Sequence, residues 1–167
     1  TQRNPKQHQY PANPNKQEPD QHRTPTFLAT ERGNHTSLTA LLKDERTNPN
    51  ITNCNGLNPL LVAVQKSLLD CVRVLTGHRS TNCNFTDPEG YPPLFYAPTT
   101  EIAELLVKGG AAINYVAPNG RKPIQAFKEQ GQFEIAATIE QTDAALQVTI
   151  EQRQAVRARM QQQHATQ

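Results

Sequence analysis

The sequence predicts an all-α solenoid: stacked helix–turn–helix units with short extended or β-turn loops, a shortened third unit and a C-terminal capping helix. Three observations carry this expectation. A short pattern occurs four times, as Thr24-Pro25-Thr26-Phe27-Leu28-Ala29, Asn58-Pro59-Leu60-Leu61-Val62-Ala63, Pro92-Pro93-Leu94-Phe95-Tyr96-Ala97 and, more loosely, Lys122-Pro123-Ile124-Gln125-Ala126-Phe127. Its prolines stand at 25, 59, 93 and 123, in steps of 34, 34 and 30 residues. Asn50, Asn84 and Asn114 keep the same beat, each about nine residues before the next proline. Self-similarity at a period near 33 residues marks units that cannot bury their apolar faces alone and therefore stack.

Residues 1–23 hold five Gln, three Asn and four Pro and almost nothing apolar. Such a segment cannot bury enough surface to offset the entropy of ordering, so a disordered leader is expected, serving as a linker or an export-associated arm. Residues 24–141 carry nearly all the Leu, Ile, Val and Phe and divide into units at about 24–52, 53–86, 87–116 and 117–141.

The second unit shows the logic of each. Asn53-Cys54-Asn55-Gly56 is a turn, with Gly supplying positive φ. Asn58 is a side-chain cap, and Pro59 fills the first helical position, where its missing N–H costs nothing. A short apolar helix runs from Leu60 to about Lys66, and Lys66-Ser67 turns the chain. A second helix spans Leu68 to Thr76, with Leu68, Leu69, Val72 and Leu75 forming one stripe. Gly77 is expected to end it in the left-handed conformation.

The third unit is short. Ala97 to Glu101 is four residues, where Ala29 to Ser37 and Ala63 to Asp70 span eight and seven, so Pro98 should end its first helix early or open the second. The predicted core joins Leu60, Val72, Leu75, Leu94, Ile102 and Leu105. The fourth unit places Phe127 where its predecessors have Ala, so its ring needs a cover. The segment 142–167 offers one: Thr142 or Asp143 can cap a helix, and no Gly or Pro interrupts residues 143–163. Leu146, Ile150, Val156 and Met160 mark a modest stripe. A capping helix over 143–156 is expected, fraying beyond; as a coiled coil the stripe is too short and too polar.

Turn, helix, turn, helix and extended link closely resemble the ankyrin repeat. The family's Gly-x-Thr-Pro-Leu-His-x-Ala pattern is echoed by Gly56-Leu57-Asn58-Pro59-Leu60-Leu61-Val62-Ala63 and by Gly90-Tyr91-Pro92-Pro93-Leu94-Phe95-Tyr96-Ala97. Its second-helix pattern is clearest in Glu101-Ile102-Ala103-Glu104-Leu105-Leu106-Val107-Lys108-Gly109-Gly110-Ala111-Ala112-Ile113-Asn114. The family's His is replaced by Phe27, Leu61, Phe95 and Gln125, so apolar contact should hold the loops more than hydrogen bonding does. The resemblance implies that Asn50, Asn84 and Asn114 tie up the turns. It also makes them the kind of Asn that, in animal cells, is hydroxylated by the asparagine hydroxylase acting on such domains, with Leu42 and Leu106 eight residues before Asn50 and Asn114.

Catalytic constellations do not appear in the sequence. His8, His22 and His164 lie in the ends, His35 opens a helix and His78 sits in a turn. The carboxylate pairs Asp44/Glu45 and Glu101/Glu104 are helix-end and surface residues. Nothing resembles a phosphate loop, a nucleophile elbow or a metal-ligand spacing, so no catalytic residue, cofactor or metal is expected. Three cysteines form no C-x-x-C; Cys71 reads as buried, Cys54 and Cys83 as loop residues open to solvent, and the whole as a reduced intracellular chain. The net charge is +2 for the leader, −1 for 24–141 and +1 for the tail, which disfavours nucleic acid because the basic excess sits outside the folded part. No apolar run approaches ~20 residues, so no membrane span is expected. The absent initiator Met suggests a chain that is processed or cut from something longer.

The expected function is a non-enzymatic protein-interaction module, a cytoplasmic monomer binding a partner protein through its concave face. The alternative is the targeting segment of a larger protein, such as an enzyme, a channel or a secreted host-directed effector. By resemblance, the partner-binding positions are turn tips and the exposed side of the first helices. In the second unit these are Asn55, Leu57, Gln65 and Lys66; in the third, Glu89, Tyr91 and Tyr96; in the fourth, Asn119, Arg121, Lys128 and Glu129. Tyr91 is the leading candidate, since Tyr and Arg are enriched at interface hot spots.

Overall fold

A computed structural model describes residues 12–165. Its helices are α1 (Pro25–Glu31), α2 (His35–Leu42), α3 (Pro59–Gln65), α4 (Leu69–Thr76), a single 3-10 turn at Pro93–Tyr96, α5 (Thr100–Lys108), α6 (Pro123–Glu129) and α7 (Phe133–Ala165). Strands are absent among the described residues. Two layers result. The inner row runs α1, α3, the 3-10 turn and α6; the outer row runs α2, α4, α5 and α7, each member packed on its neighbours along the row and on its own unit's partner.

Side-chain caps set the starts of α1, α2, α3 and α5. Thr24 Oγ1 accepts from Phe27 N at 3.1 Å, Asn34 Oδ1 from Ser37 N at 3.0 Å and Asn58 Oδ1 from Leu61 N at 2.9 Å. Proline follows the cap at α1 and α3, as its fixed φ favours. In the third unit Pro98 follows Ala97, whose extended ψ of 112° stops the first helix after one turn, and Thr99 then caps α5 through Ile102 N at 3.3 Å. Gly77 departs from expectation: it ends α4 at φ −75°, in the right-handed region.

One core runs through both layers, from Leu38 and Leu42 through Leu60, Val64, Val72, Leu75, Leu94, Ile102 and Leu106 to Phe127, Ile135 and Ile139. Leu106 takes the place predicted for Leu105. On α5 the buried set is Ile102, Ala103, Leu106 and Val107, and Leu105 is turned to the flank and only partly covered. Cys83, expected in a loop and exposed, is 4% exposed, because Gly109 leaves room for its sulfur: a Cβ there would lie 2.9 Å from it. Burial pushes its thiol up to about 11.

Both ends differ from the sequence expectation. Residues 1–11 lie outside the described residues, but 12–23 are held against the first two units by hydrogen bonds rather than by apolar burial. Gln17 Nε2 donates to Thr52 O at 2.9 Å, and Cys54 N donates to Gln21 O at 2.9 Å. At the other end Thr142 and Asp143 start no helix. The unbroken run from Phe133 makes one helix of 33 residues, about 50 Å long at 1.5 Å per residue. Ile135, Ala136 and Ile139 are buried, Leu146 is half-buried, and residues 147–163 are all exposed.

Units are also tied by a ladder of asparagines. Asn15 Nδ2 donates to Arg46 O at 2.6 Å and its Oδ1 accepts from Asn48 N at 2.7 Å. Asn50 does the same to Ser80 O and Asn82 N, at 2.7 and 2.8 Å. Asn84 repeats it on Gly110 O and Ala112 N, at 3.0 and 2.7 Å. Each side chain satisfies a carbonyl and an N–H that a loop would otherwise leave to water.

Candidate protein-binding surface

The turn tips stand in a row along the inner helices. In the second unit Asn53 Oδ1 accepts from Asn55 N and Leu57 N, both at 3.0 Å, and in the third Asp87 Oδ1 accepts from Glu89 N at 3.0 Å and Tyr91 N at 2.9 Å. The fourth has Ala117 at that place: Ala117 N donates to Arg121 O at 2.9 Å, and Asn119 Oδ1, two residues further on, accepts from Arg121 N at 3.1 Å. Neighbouring tips interlock. A Cβ on Gly56 would lie 2.8 Å from Pro88 Cγ, and one on Gly90 2.7 Å from Pro118 Cγ, while both glycines hold positive φ.

Aromatic residues concentrate on the third unit. Tyr91 and Phe95 meet edge to face at 5.5 Å between centroids, Tyr91 and Tyr96 at 6.4 Å, and Phe95 and Tyr115 at 6.2 Å. All four rings are half-buried. Two of the hydroxyls face inward: Tyr115 Oη donates to Gly90 O at 2.8 Å, and Tyr96 Oη donates to Asp87 Oδ2. Burial, and then that bond to the Asp87 carboxylate, push the Tyr96 hydroxyl well above the usual phenol range. Tyr96 therefore holds the tip that presents Glu89 and Tyr91.

The structure divides the other sequence-chosen residues. Asn55, Gln65, Glu89 and Asn119 are exposed, and Leu57 is half-buried. Lys66 approaches Glu31 at 3.7 Å, Arg121 pairs with Glu129 at 2.9 Å, and Lys128 pairs with Glu140 at 2.8 Å. Exposed pairs of this kind are weak and compete little with a partner's charges. Tyr91, Tyr96 and Glu89 are brought together, whereas Lys128 points its ammonium towards α7. Phe95 and Tyr115 were missed as site residues. Phe95 was visible as the ring standing in place of the family's His, but Tyr115 carries no local signal and joins the cluster only because the link that ends the third unit runs back beside that unit's own tip, where its hydroxyl reaches Gly90 O. Among the described residues no three His, Cys, Asp or Glu side chains converge to hold a metal ion, and no helix is long and apolar enough to cross a membrane.

Known proteins share this arrangement. A family model of ankyrin repeats (three copies) matches residues 6–87 and 26–117. Transient receptor potential cation channel subfamily A member 1 of Homo sapiens is 34% identical over 91 residues, which is 53% of this chain and 8% of that protein. The crystal structure of EF0377, an ankyrin repeat protein, superposes with a TM-score of 0.68 at 25% identity, covering 78% of this chain and 69% of that one. Ankyrin repeats serve generally as protein–protein interaction modules. With phased units, two helical layers and interlocking turn tips in one chain, the conclusion is plain: it belongs to the ankyrin repeat family.

Proposed function

We propose that the chain is a non-enzymatic module that binds a partner protein on its concave face, centred on the third repeat. The observation that carries this reading is the cluster of Tyr91, Phe95, Tyr96 and Tyr115 where the first helix is reduced to one 3-10 turn. The shortened helix leaves ring edges, rather than a helix face, to meet a partner. Rings of this kind supply contact area at low entropic cost, with Glu89 and Arg121 on the flanking tips to set orientation. A photo-crosslinking residue at position 91 should capture a discrete partner from lysate, and one at Arg73, exposed on the outer helix α4, should not. Equal capture at both positions would end this reading.

A second reading is that the chain is the recognition segment of a larger protein, favoured by its covering only 8% of the channel it resembles. The complete reading frame around these residues distinguishes the two: no further domain on either side would remove it.

A further inference from the structure

The asparagine ladder stops one rung short. Asn15, Asn50 and Asn84 each clasp a carbonyl and the N–H two residues beyond it in the following repeat. Asn114 stands 30 residues after Asn84, at the same place in its turn. Its side chain makes neither bond among the described residues, because α7 continues as helix where the next turn would arrive. Beside it, Ile113 and Ile124 are only partly covered and, with Lys122 and Gln125, line a groove of about 470 Å³. Val116, two residues on, is 56% exposed.

We propose that this end of the loop row is a second docking site, which reads polypeptide backbone. Asn114 takes a carbonyl and an N–H two residues apart on an extended segment of a separate protein, and an apolar side chain of that segment lies on Ile113 and Ile124. The filled clasps define the occupant. Their central residues are Thr47, Thr81 and Ala111, so the segment carries a small residue there. Lys122 makes no ion pair among the described residues, while Lys128 is taken by Glu140 and Glu129 by Arg121. The unpaired charge at the groove is thus positive and matches an acidic residue in the segment. A second copy of this chain cannot supply it from residues 46–48, 80–82 or 110–112, since all three turns are already clasped from within.

The test is a titration of the isotope-labelled full chain, followed by nuclear magnetic resonance, with a peptide copying residues 108–116 in which Lys108 is replaced by Glu. Saturable shifts at the Asn114 side-chain amide and the Ile113 and Ile124 methyls are expected at millimolar peptide. Asn114→Ala should weaken binding about tenfold, two hydrogen bonds being lost. N-methylation of the peptide at the residue matching Ala112, which deletes the N–H that Oδ1 reads, should do the same. Because Asn114 makes no internal bond, Asn114→Ala should leave Tm unchanged while Asn50→Ala lowers it. No saturable shift, shifts confined to Tyr91 and Arg121, unaltered binding by Asn114→Ala or by the methylated peptide, or a Tm loss in Asn114→Ala equal to that in Asn50→Ala would each overturn the proposal. The concave-face reading, tested at Tyr91, would stand or fall separately.

Discussion

Leu106→Ala is the perturbation that best probes how the stack holds together. Leu106 is 0% exposed and sits on α5, which packs against α4, α7 and the 3-10 turn. Truncating a fully buried Leu removes its transfer free energy and leaves a cavity, a loss of about 2–5 kcal/mol. Leu105, one residue away and chemically identical, is only partly covered, so Leu105→Ala should cost about 1 kcal/mol from the smaller area involved. Against a total of about 5–15 kcal/mol for a domain, the first change is severe and the second mild. Urea unfolding followed by circular dichroism measures both.

The same variant reports on how cooperativity spreads. In a repeat stack each unit touches only its neighbours, so stability is a sum of unit and interface contributions. The third repeat offers α5 only a four-residue turn on the inner side, against seven-residue helices in the other repeats. Hydrogen exchange in Leu106→Ala should therefore show protection lost across α5, α6 and α7, with α1 to α4 retaining part of theirs. Uniform loss over all four repeats, or Leu105→Ala costing as much as Leu106→Ala, would refute the reasoning.

Three further outcomes follow from the geometry. Tyr96→Phe should lower stability by ~1–3 kcal/mol in urea, since it leaves Oδ2 of Asp87, a residue 7% exposed, without its donor while Oδ1 keeps its two; an unchanged midpoint would show that Oδ2 is solvated. In the native chain a thiol reagent should label Cys54 alone. The Cys83 thiol is favoured by the fold, its value moving from 9.0 to about 11, so its contribution is complete below pH 9 and is lost as pH rises towards 11; Cys83→Ala should flatten that loss in urea midpoints taken across the range. Ending the chain after Leu146 should reduce helical circular dichroism yet leave Tm nearly unchanged, because residues 147–163 are all exposed, whereas ending it after Gln132 should unfold the fourth repeat by uncovering Phe127.

What was legible in the sequence was what local chemistry fixes. Asn58-Pro59 announces a capped helix start, and Ala97-Pro98 announces a stop, because both act within a few residues of themselves. Leu105 and Leu106 could not be separated by periodicity: both border the same stripe at 100° per residue, and the packing of α7 decides between them. The burial of Cys83 depends on Gly109, 26 residues away, and no pattern of apolar spacing carries that contact. At the surface the same division holds. Tip positions such as Asn55 and Asn119 were readable from the turns, whereas the pairing of Arg121 with Glu129 and of Lys128 with Glu140 depends on how α6 and α7 lie. The structured part of the leader carries its own signal in the sequence. Asn13-Pro14-Asn15 repeats as Asn48-Pro49-Asn50 at a step of 35 residues, and then as Asn82-Cys83-Asn84. Composition argued for disorder because it counts apolar area; this segment is held by backbone groups instead.

A repeat stack has two surfaces to close at each end, and this chain closes them unequally. The helical layers have apolar faces, and burial closes those: α7 packs on α5 and buries Ile135, Ala136 and Ile139 there. The loop row has polar backbone, which only a hydrogen-bonding partner of matched geometry can close. At the N-terminal end Asn15 supplies that partner to Arg46 and Asn48 from a segment almost devoid of apolar residues. At the C-terminal end the helix that closes the apolar layer is also what removes the next turn, since a helix that runs on to Ala165 cannot break where Asn114 would need a carbonyl and an N–H. Closing one surface has opened the other. The rung left empty at Asn114 is thus a consequence of the cap itself, and a break introduced into α7 near Gln141 would be expected to fill it from within.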